Sequence, residues 1–298
     1  MGFVKRMSGL DRRIIFVIIG LAVIIPLLIP MGLPIIPTEL ARATYDAIQN
    51  LPEGSIVLFS FDYDPSTMPE LQPMAIAMLY HCFTKHLKVI MIALWPQGPQ
   101  MAELSMQEVN KQLEAENFPL PEYGKDYVNL GYKSAGGLVI IGMATSFAGI
   151  FPLDTYGTPI SELPLMDKIK SGKELQAVVD LSAGDPGIPA WVMVSRMAGY
   201  PQAPEPGSTD ITGKMYLLGG TTAVSAPGFY PYLNTNQMQG LLGGMRGAAD
   251  YETLVNTPGT ASAGMDPQSI AHLVIVLFII MANVFFFLEK RQEKRKAT

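Results

Sequence analysis

Gly54-Ser-Ile-Val-Leu-Phe-Ser-Phe61, followed by Asp62-Tyr-Asp-Pro-Ser-Thr67, is the stretch whose reading decides the fold. Its first eight residues form a nearly continuous apolar run of strand length, rich in β-branched and aromatic side chains. Strict polar–apolar alternation is missing, so both faces are expected to be covered, as in a parallel sheet sandwiched between helices. The segment from Asp62 reads as a loop.

Working outward, Glu39 to Leu51 brings Leu40, Ala43, Ala47 and Ile48 near one face of a short amphipathic helix. Pro69 to His86 reads as a helix, Leu87 to Trp95 as a second buried strand, and Gln100 to Glu116 as a helix with Leu104, Val109 and Leu113 inward. A polar stretch, Pro119 to Tyr132, leads to the apolar run Gly137 to Gly142, read as a third strand. Leu163 to Ser171 follows as a helix and Leu175 to Leu181 as a strand. Ala190 to Met197 fits either a helix or a strand. Lys214 to Gly219 reads as the last strand and Asn236 to Val255 as a closing helix. Strands and helices alternating in this way predict a largely parallel, three-layer α/β domain of Rossmann or flavodoxin type over residues 39–255.

The flanks are membrane-like. Ile270 to Leu288 holds only His272 and Asn283 as polar residues and matches the roughly 20 residues that cross about 30 Å of hydrocarbon. A linker, residues 256–268, precedes it and a basic tail, residues 289–298, follows. Residues 14–36 form a second apolar run behind a basic amino terminus, residues 1–13. Pro26, Pro30 and Pro34 interrupt this run, so a regular helix is expected to about Ile25, with a bent exit beyond. Ala41-Arg42-Ala43 has the form of a signal cleavage site, but the run exceeds a signal-peptide core, so a retained anchor is expected. Basic flanks stay in the cytoplasm. Two spans with both termini inside put residues 39–268 on the extracytoplasmic, periplasmic or outer, face.

Charge narrows the partners. The chain carries −5 overall but +3 at each end, which leaves −11 for the middle. Such a domain is repelled by phosphate backbones, so no nucleic acid partner is expected. Cys82 is the single cysteine, so an internal disulfide is excluded and the core must hold the domain. Cys82 itself reads as a small buried hydrophobe, and the eighteen methionines as flexible core filling.

In an open parallel sheet, ligands lie beyond the carboxyl ends of the strands. Three such ends carry candidate residues: Asp62 and Asp64; Ser182 and Asp185; and Gly219, Gly220, Thr221 and Thr222 with Ser225 nearby. Together they would line one crevice for a small molecule. The same residue types also serve as turns and caps in any βα loop. No Walker or dinucleotide fingerprint and no nucleophile elbow occurs. His81 and His86, five apart on one predicted helix, point to different faces and make a poor metal pair. No cofactor, metal or catalytic residue is expected. Gly240, Gly243, Gly244 and Gly247 recur at helical spacing, which favours close approach of another helix or subunit. His272 and Asn283, three turns apart, add a polar stripe to the last span, and Asn283 is the better placed for helix pairing.

The sequence therefore favours a non-enzymatic, membrane-anchored interaction subunit. It would assemble with copies of itself or with another membrane protein. A transporter-associated solute-binding or sensor domain is the alternative, and a tethered hydrolase or transferase using Asp62 or Asp185 the third reading.

Overall fold

The computed structural model describes residues 11–29, 31–205, 208 and 210–297, the side chains of Glu289 and residues 292–297 excepted. Lys5 and Arg6 of the basic amino terminus, Pro30 and most of the basic tail's side chains lie outside the described residues. The chain divides into two units, Ile35–Ser262 and, separately, Met1–Pro34 with Ala263–Thr298.

In chain order the first elements are α1 Arg12–Leu28, α2 Glu39–Gln49, β1 Ile56–Asp62, α3 Met68–Thr84, β2 Lys88–Ala93, α4 Gly98–Ala115 and β3 Tyr127–Tyr132. Next come α5 Gly137–Thr145, α6 Phe147–Ile150, α7 Pro164–Asp167, β4 Ala177–Ser182 and α8 Gly187–Met197. The chain closes with β5 Tyr216–Thr221, α9 Tyr230–Asn234, β6 Gly240–Gly243, α10 Gly244–Leu254 and α11 Thr260–Ala297.

The six strands form one parallel sheet in the order β3-β2-β1-β4-β5-β6. The chain winds outward from β1 to β3, returns to β4 beside β1, and winds the other way. This is the doubly wound arrangement, and its topological switch point lies between β1 and β4. All seven residues of β1 and all six of β4 are buried, because helices cover both faces. Ile56, Leu58 and Val178 face a core shared with Val139 and Ile140 of α5 and Trp191 of α8. On α4's side the approach is so close that a Cβ on Gly98 would sit 2.0 Å from the Phe61 carbonyl oxygen. Only glycine fits there.

Several elements differ from the sequence reading. The third strand is Tyr127–Tyr132, inside the stretch read as polar, and Gly137 to Gly142 is helical. Alternation decided the first: Val128 and Leu130 face the core, while Asn129 is satisfied by Glu103 at 2.8 Å. Asn236 to Val255 is not one helix, because Gly240–Gly243 adds a sixth strand beside β5 before α10 begins. Gly244, at φ +62, makes the turn between them. Leu163 to Ser171 keeps only the short α7. Ala190 to Met197 is helical, Asp62 belongs to β1 and not to a loop, and α11 absorbs the linker from Thr260.

In the smaller unit, α1 runs three residues past Ile25, through Pro26, and the chain continues without regular structure to Thr38. Asp266 collects the N–H groups of Met31 and Gly32 on Oδ2, at 2.7 and 2.8 Å, and that of Leu33 on Oδ1 at 3.1 Å. Thr260–Leu288 contains an 18-residue window of mean hydropathy 2.7 and is the one helix among the described residues long and apolar enough to cross a membrane. The helical part of the amino-terminal run is 17 residues.

Two buried carboxylates on α10 fasten both ends of the α/β unit. Asp250 accepts the Thr38 N–H at 3.0 Å and the Arg246 Nε–H at 2.7 Å, and Arg246 also donates to the Ile36 carbonyl at 2.7 Å. Glu252 accepts the N–H groups of Gly259, Ala261 and Ser262 at 2.9, 3.1 and 2.7 Å, at the start of α11, where four donors lack helical partners. Removing that carboxylate strands buried donors. Glu252→Ala is expected to cost about 2–4 kcal/mol and to lower the thermal midpoint of the detergent-solubilised chain by several degrees. A midpoint equal to wild type would show that the clamp contributes nothing.

Candidate functional site

The switch point between β1 and β4 is where an open parallel sheet ordinarily holds its ligand. The strand register sets Ser60 beside Asp180 and Asp62 beside Ser182. Residues two apart on a strand share a face, so the four side chains meet on one side of the sheet. All four are buried. Ser60 Oγ donates to Asp62 Oδ2 at 2.7 Å, the Leu94 N–H donates to Asp62 Oδ1 at 2.6 Å, and Ser182 Oγ donates to Asp180 Oδ2 at 2.7 Å.

Asp180 Oδ1 receives no donor from the described residues. Its neighbour is the other carboxyl, that of Asp62, one strand away across the β1–β4 pairing. Burial raises the pKa of both groups. Asp180 is raised further by the charge of Asp62, whereas Asp62 is held back by its donors: Asp180, Ser60 and the backbone of Leu94 and Trp95. The pair therefore holds on to a proton above the ordinary carboxyl range, and Asp180, raised the more, is the member that favours keeping it. Gly187 is forced by the same packing, since a Cβ there would lie 2.5 Å from Ser182 Oγ.

Of the residues singled out in the sequence, Asp62 and Ser182 come together in this quartet. Thr221 joins its edge by donating from Oγ1 to the Ser182 carbonyl at 2.8 Å. Asp64 sits apart in a turn, accepting from Ser66 N and Oγ at 2.9 and 2.6 Å, and those bonds hold its carboxyl below the usual range. Asp185 is exposed, and its carbonyl accepts the Trp95 indole N–H at 2.8 Å. Thr222 donates to Ser225 Oγ at 3.1 Å. Gly219 and Gly220 lie inside the sheet, where a Cβ would strike Ile188 and Met238, or Leu181 and Met74. Their role is close packing.

The glycines expected on one helix face are split between strand and helix. A Cβ on Gly240 would meet Thr44, on Gly243 Ala226, on Gly244 Ala223, and on Gly247 the Leu242 backbone. Each has its close neighbour within the domain. Asn283 Nδ2 donates to the Ile279 carbonyl at 2.8 Å, within its own helix, and His272 is exposed.

Asp180 and Glu70 were missed, whereas His81 is, as read from the sequence, no metal ligand. Glu70 Oε2 accepts the Ala223 N–H at 2.8 Å and so ties α3 to the loop after β5. His81 is buried between Tyr251 Oη and Gln49 Oε1, both at 2.8 Å, and stacks on Tyr45. Burial, with a smaller push from Lys85, lowers its pKa to about 4, so it is a neutral core residue. Asp180 could have been read from the motif pair Ser60-x-Asp62 and Asp180-x-Ser182, each ending an apolar run.

Among the described residues no three His, Cys, Asp or Glu side chains converge as a metal would require. Comparison with protein-family models, curated proteins and solved structures returned no match for this chain.

The quartet has a pH signature. The unfolded chain releases the Asp180 proton near the ordinary carboxyl value of 3.8, whereas the folded chain keeps it. Above that value the folded state binds more protons, so stability falls as pH rises until the folded pKa is passed. Asn at 180 mimics the protonated acid: Nδ2 donates to Asp62 and Oδ1 accepts from Ser182. Asp180→Asn should flatten the fall and equal or exceed wild type at pH 8, while Asp62→Asn, which loses the ionised acceptor, should be less stable. Denaturant titrations across pH check this; equal losses in the two variants would remove the assigned proton.

Proposed function

We propose that this chain is a non-enzymatic, membrane-anchored interaction subunit whose α/β domain lies outside the cytoplasm and assembles with copies of itself or with another membrane protein. The anchors are Thr260–Leu288 and the amino-terminal apolar run, and both termini are cytoplasmic. Fastening of the domain's entry and exit to the same helix, α10, supports a hairpin of tethers.

The observation that carries the assembly reading is the outer surface of α5 and α8. Gly137 to Leu153 contains no charged side chain. Val139, Ile140, Met143 and Ala144 of this stretch are buried, but Leu138 is 68% and Ile141 42% exposed. α8 packs against α5, with Val194 3.0 Å from where a Gly137 Cβ would lie. It turns Met193 and Met197 outward at 61% and 80% exposure. An element apolar on all sides belongs in an interior. Here one side is left to solvent, at about 25 cal/mol for each Å² that a partner could cover. Exposed methionines suit an adaptable contact.

The ligand-crevice reading is less favoured, because Asp62, Ser182, Thr221 and Thr222 spend their polar groups on one another and on neighbouring atoms.

Leu138→Glu with Met197→Glu should shift the detergent-solubilised protein to a smaller assembly by native mass spectrometry. As surface changes, they should alter stability by no more than about 0.5 kcal/mol. An unchanged assembly would rule out this face, and a wild-type protein that is only monomeric, with nothing copurifying, would sink the reading. Alkaline phosphatase fused at residue 150 should be active, and an inactive fusion would reverse the topology.

A further inference from the structure

We propose that a cavity at the amino-terminal ends of β5 and β6, away from the switch point, binds an aliphatic diamine or longer polyamine. The cavity measures about 530 Å³, within the roughly 300–1,000 Å³ common for small-molecule sites. Its apolar wall comes from Leu40 and Ala47 of α2, Leu233 of α9, and Met238.

The polar lining falls into two groups. Asn236 and Gln239 are committed to the fold. Gln239 Oε1 accepts the Leu217 N–H at 2.9 Å, its Nε2 donates to the Asn236 carbonyl at 3.1 Å, and Asn236 Nδ2 donates to the Pro204 carbonyl at 3.3 Å. Asp46, Asn50, Glu205, Asn234 and the Tyr216 hydroxyl also line the cavity, yet among the described residues none has a hydrogen-bond or ion-pair partner for its side chain. Tyr216 is only 6% exposed. Its ring is packed into the wall, and its hydroxyl, bonded by no described residue, is open to solvent and able to bond a ligand atom.

Charge selects the ligand class. Two exposed acidic residues, Asp46 and Glu205, line the space, and among the described residues no lysine or arginine does. Anionic ligands are repelled, and a neutral polyol would leave the carboxylates without counter-charge. An ammonium makes charge-assisted bonds to carboxylate and amide oxygens, and its methylene chain can lie on the apolar wall. Two acids suit a ligand with an ammonium at each end.

Isothermal titration of the full chain in mild detergent with 1,5-diaminopentane, 1,5-pentanediol and glutarate tests this. Saturable binding of the diamine alone is expected. Asp46→Asn and Glu205→Gln should each weaken it about tenfold or more, and Tyr216→Phe to a smaller extent, with thermal midpoints of the ligand-free variants unchanged. Absence of saturable diamine binding, equal binding of the diol, or an affinity unaffected by both carboxylate changes would overturn the proposal.

Discussion

Asp250 and Glu252 of α10 impose the constraint on which the domain's attachment depends. Both are buried, and both spend their charge on backbone donors that no helix or sheet could satisfy. A carboxylate without partners would be costly there, whereas one receiving two or three N–H bonds is stabilised in its charged form. The consequence is geometric. α10 packs on α3 and α2, so the chain's entry at Thr38 and its exit at Gly259 are referred to one rigid surface of the sheet's helical layer. Two carboxylates two residues apart on a single helix make a short, stiff reference for both ends of the unit.

The Asp62–Asp180 pair follows a different logic. Two carboxyls buried together cannot both ionise, and an apolar pair of similar volume would often be at least as stable. What the quartet gains is position. Asp62 holds the end of β2 through Leu94 N–H, Ser182 binds the start of α8 through Ile188 N–H at 3.3 Å, and Thr221 ties β5 to β4. Strands on both sides of the switch point are thereby fixed in register. The polar groups sit where a ligand would sit in many folds of this class, yet their donors and acceptors are turned on each other. We take their role as specifying the sheet.

How far these features could be read in advance depended on how local their cause was. Buried strands such as Ile56–Asp62 and Lys88–Ala93 declare themselves by β-branched runs, and α4 by its period, because the pattern and the burial coincide. Gly240–Gly243 did not, since two leucines between glycines take their strand state from pairing with β5, a contact that no local pattern encodes. Asp180 was passed over because an acid inside an apolar strand has meaning only once Asp62 is beside it. The clamps on α10 were invisible for the same reason: their partners lie about 200 residues back or across a turn, and backbone amides leave no mark in a sequence. Asp62 and Ser182 were found because strand ends are where topology gathers polar side chains.

The segment misread most plainly, Gly137 to Gly142, is also the one that bears most on function. Its composition says that all sides are covered, and a strand inside the sheet would have satisfied that demand. As helix α5 it is covered on one side, while Leu138 and Ile141 stand in solvent next to Met193 and Met197. The composition is then not accounted for by burial within the domain. A charge-free stretch, Gly137 to Leu153, is conspicuous in a domain with a net charge of −11 between its basic ends, because charge keeps a surface soluble and unattached. The mismatch between a fully apolar sequence and a half-buried helix is the physical basis of the proposed contact. On the proposed reading, assembly would use the α5–α8 layer. The α10 side of the domain is spent on holding Thr38 and Gly259, whereas the α5–α8 side leaves apolar side chains in solvent.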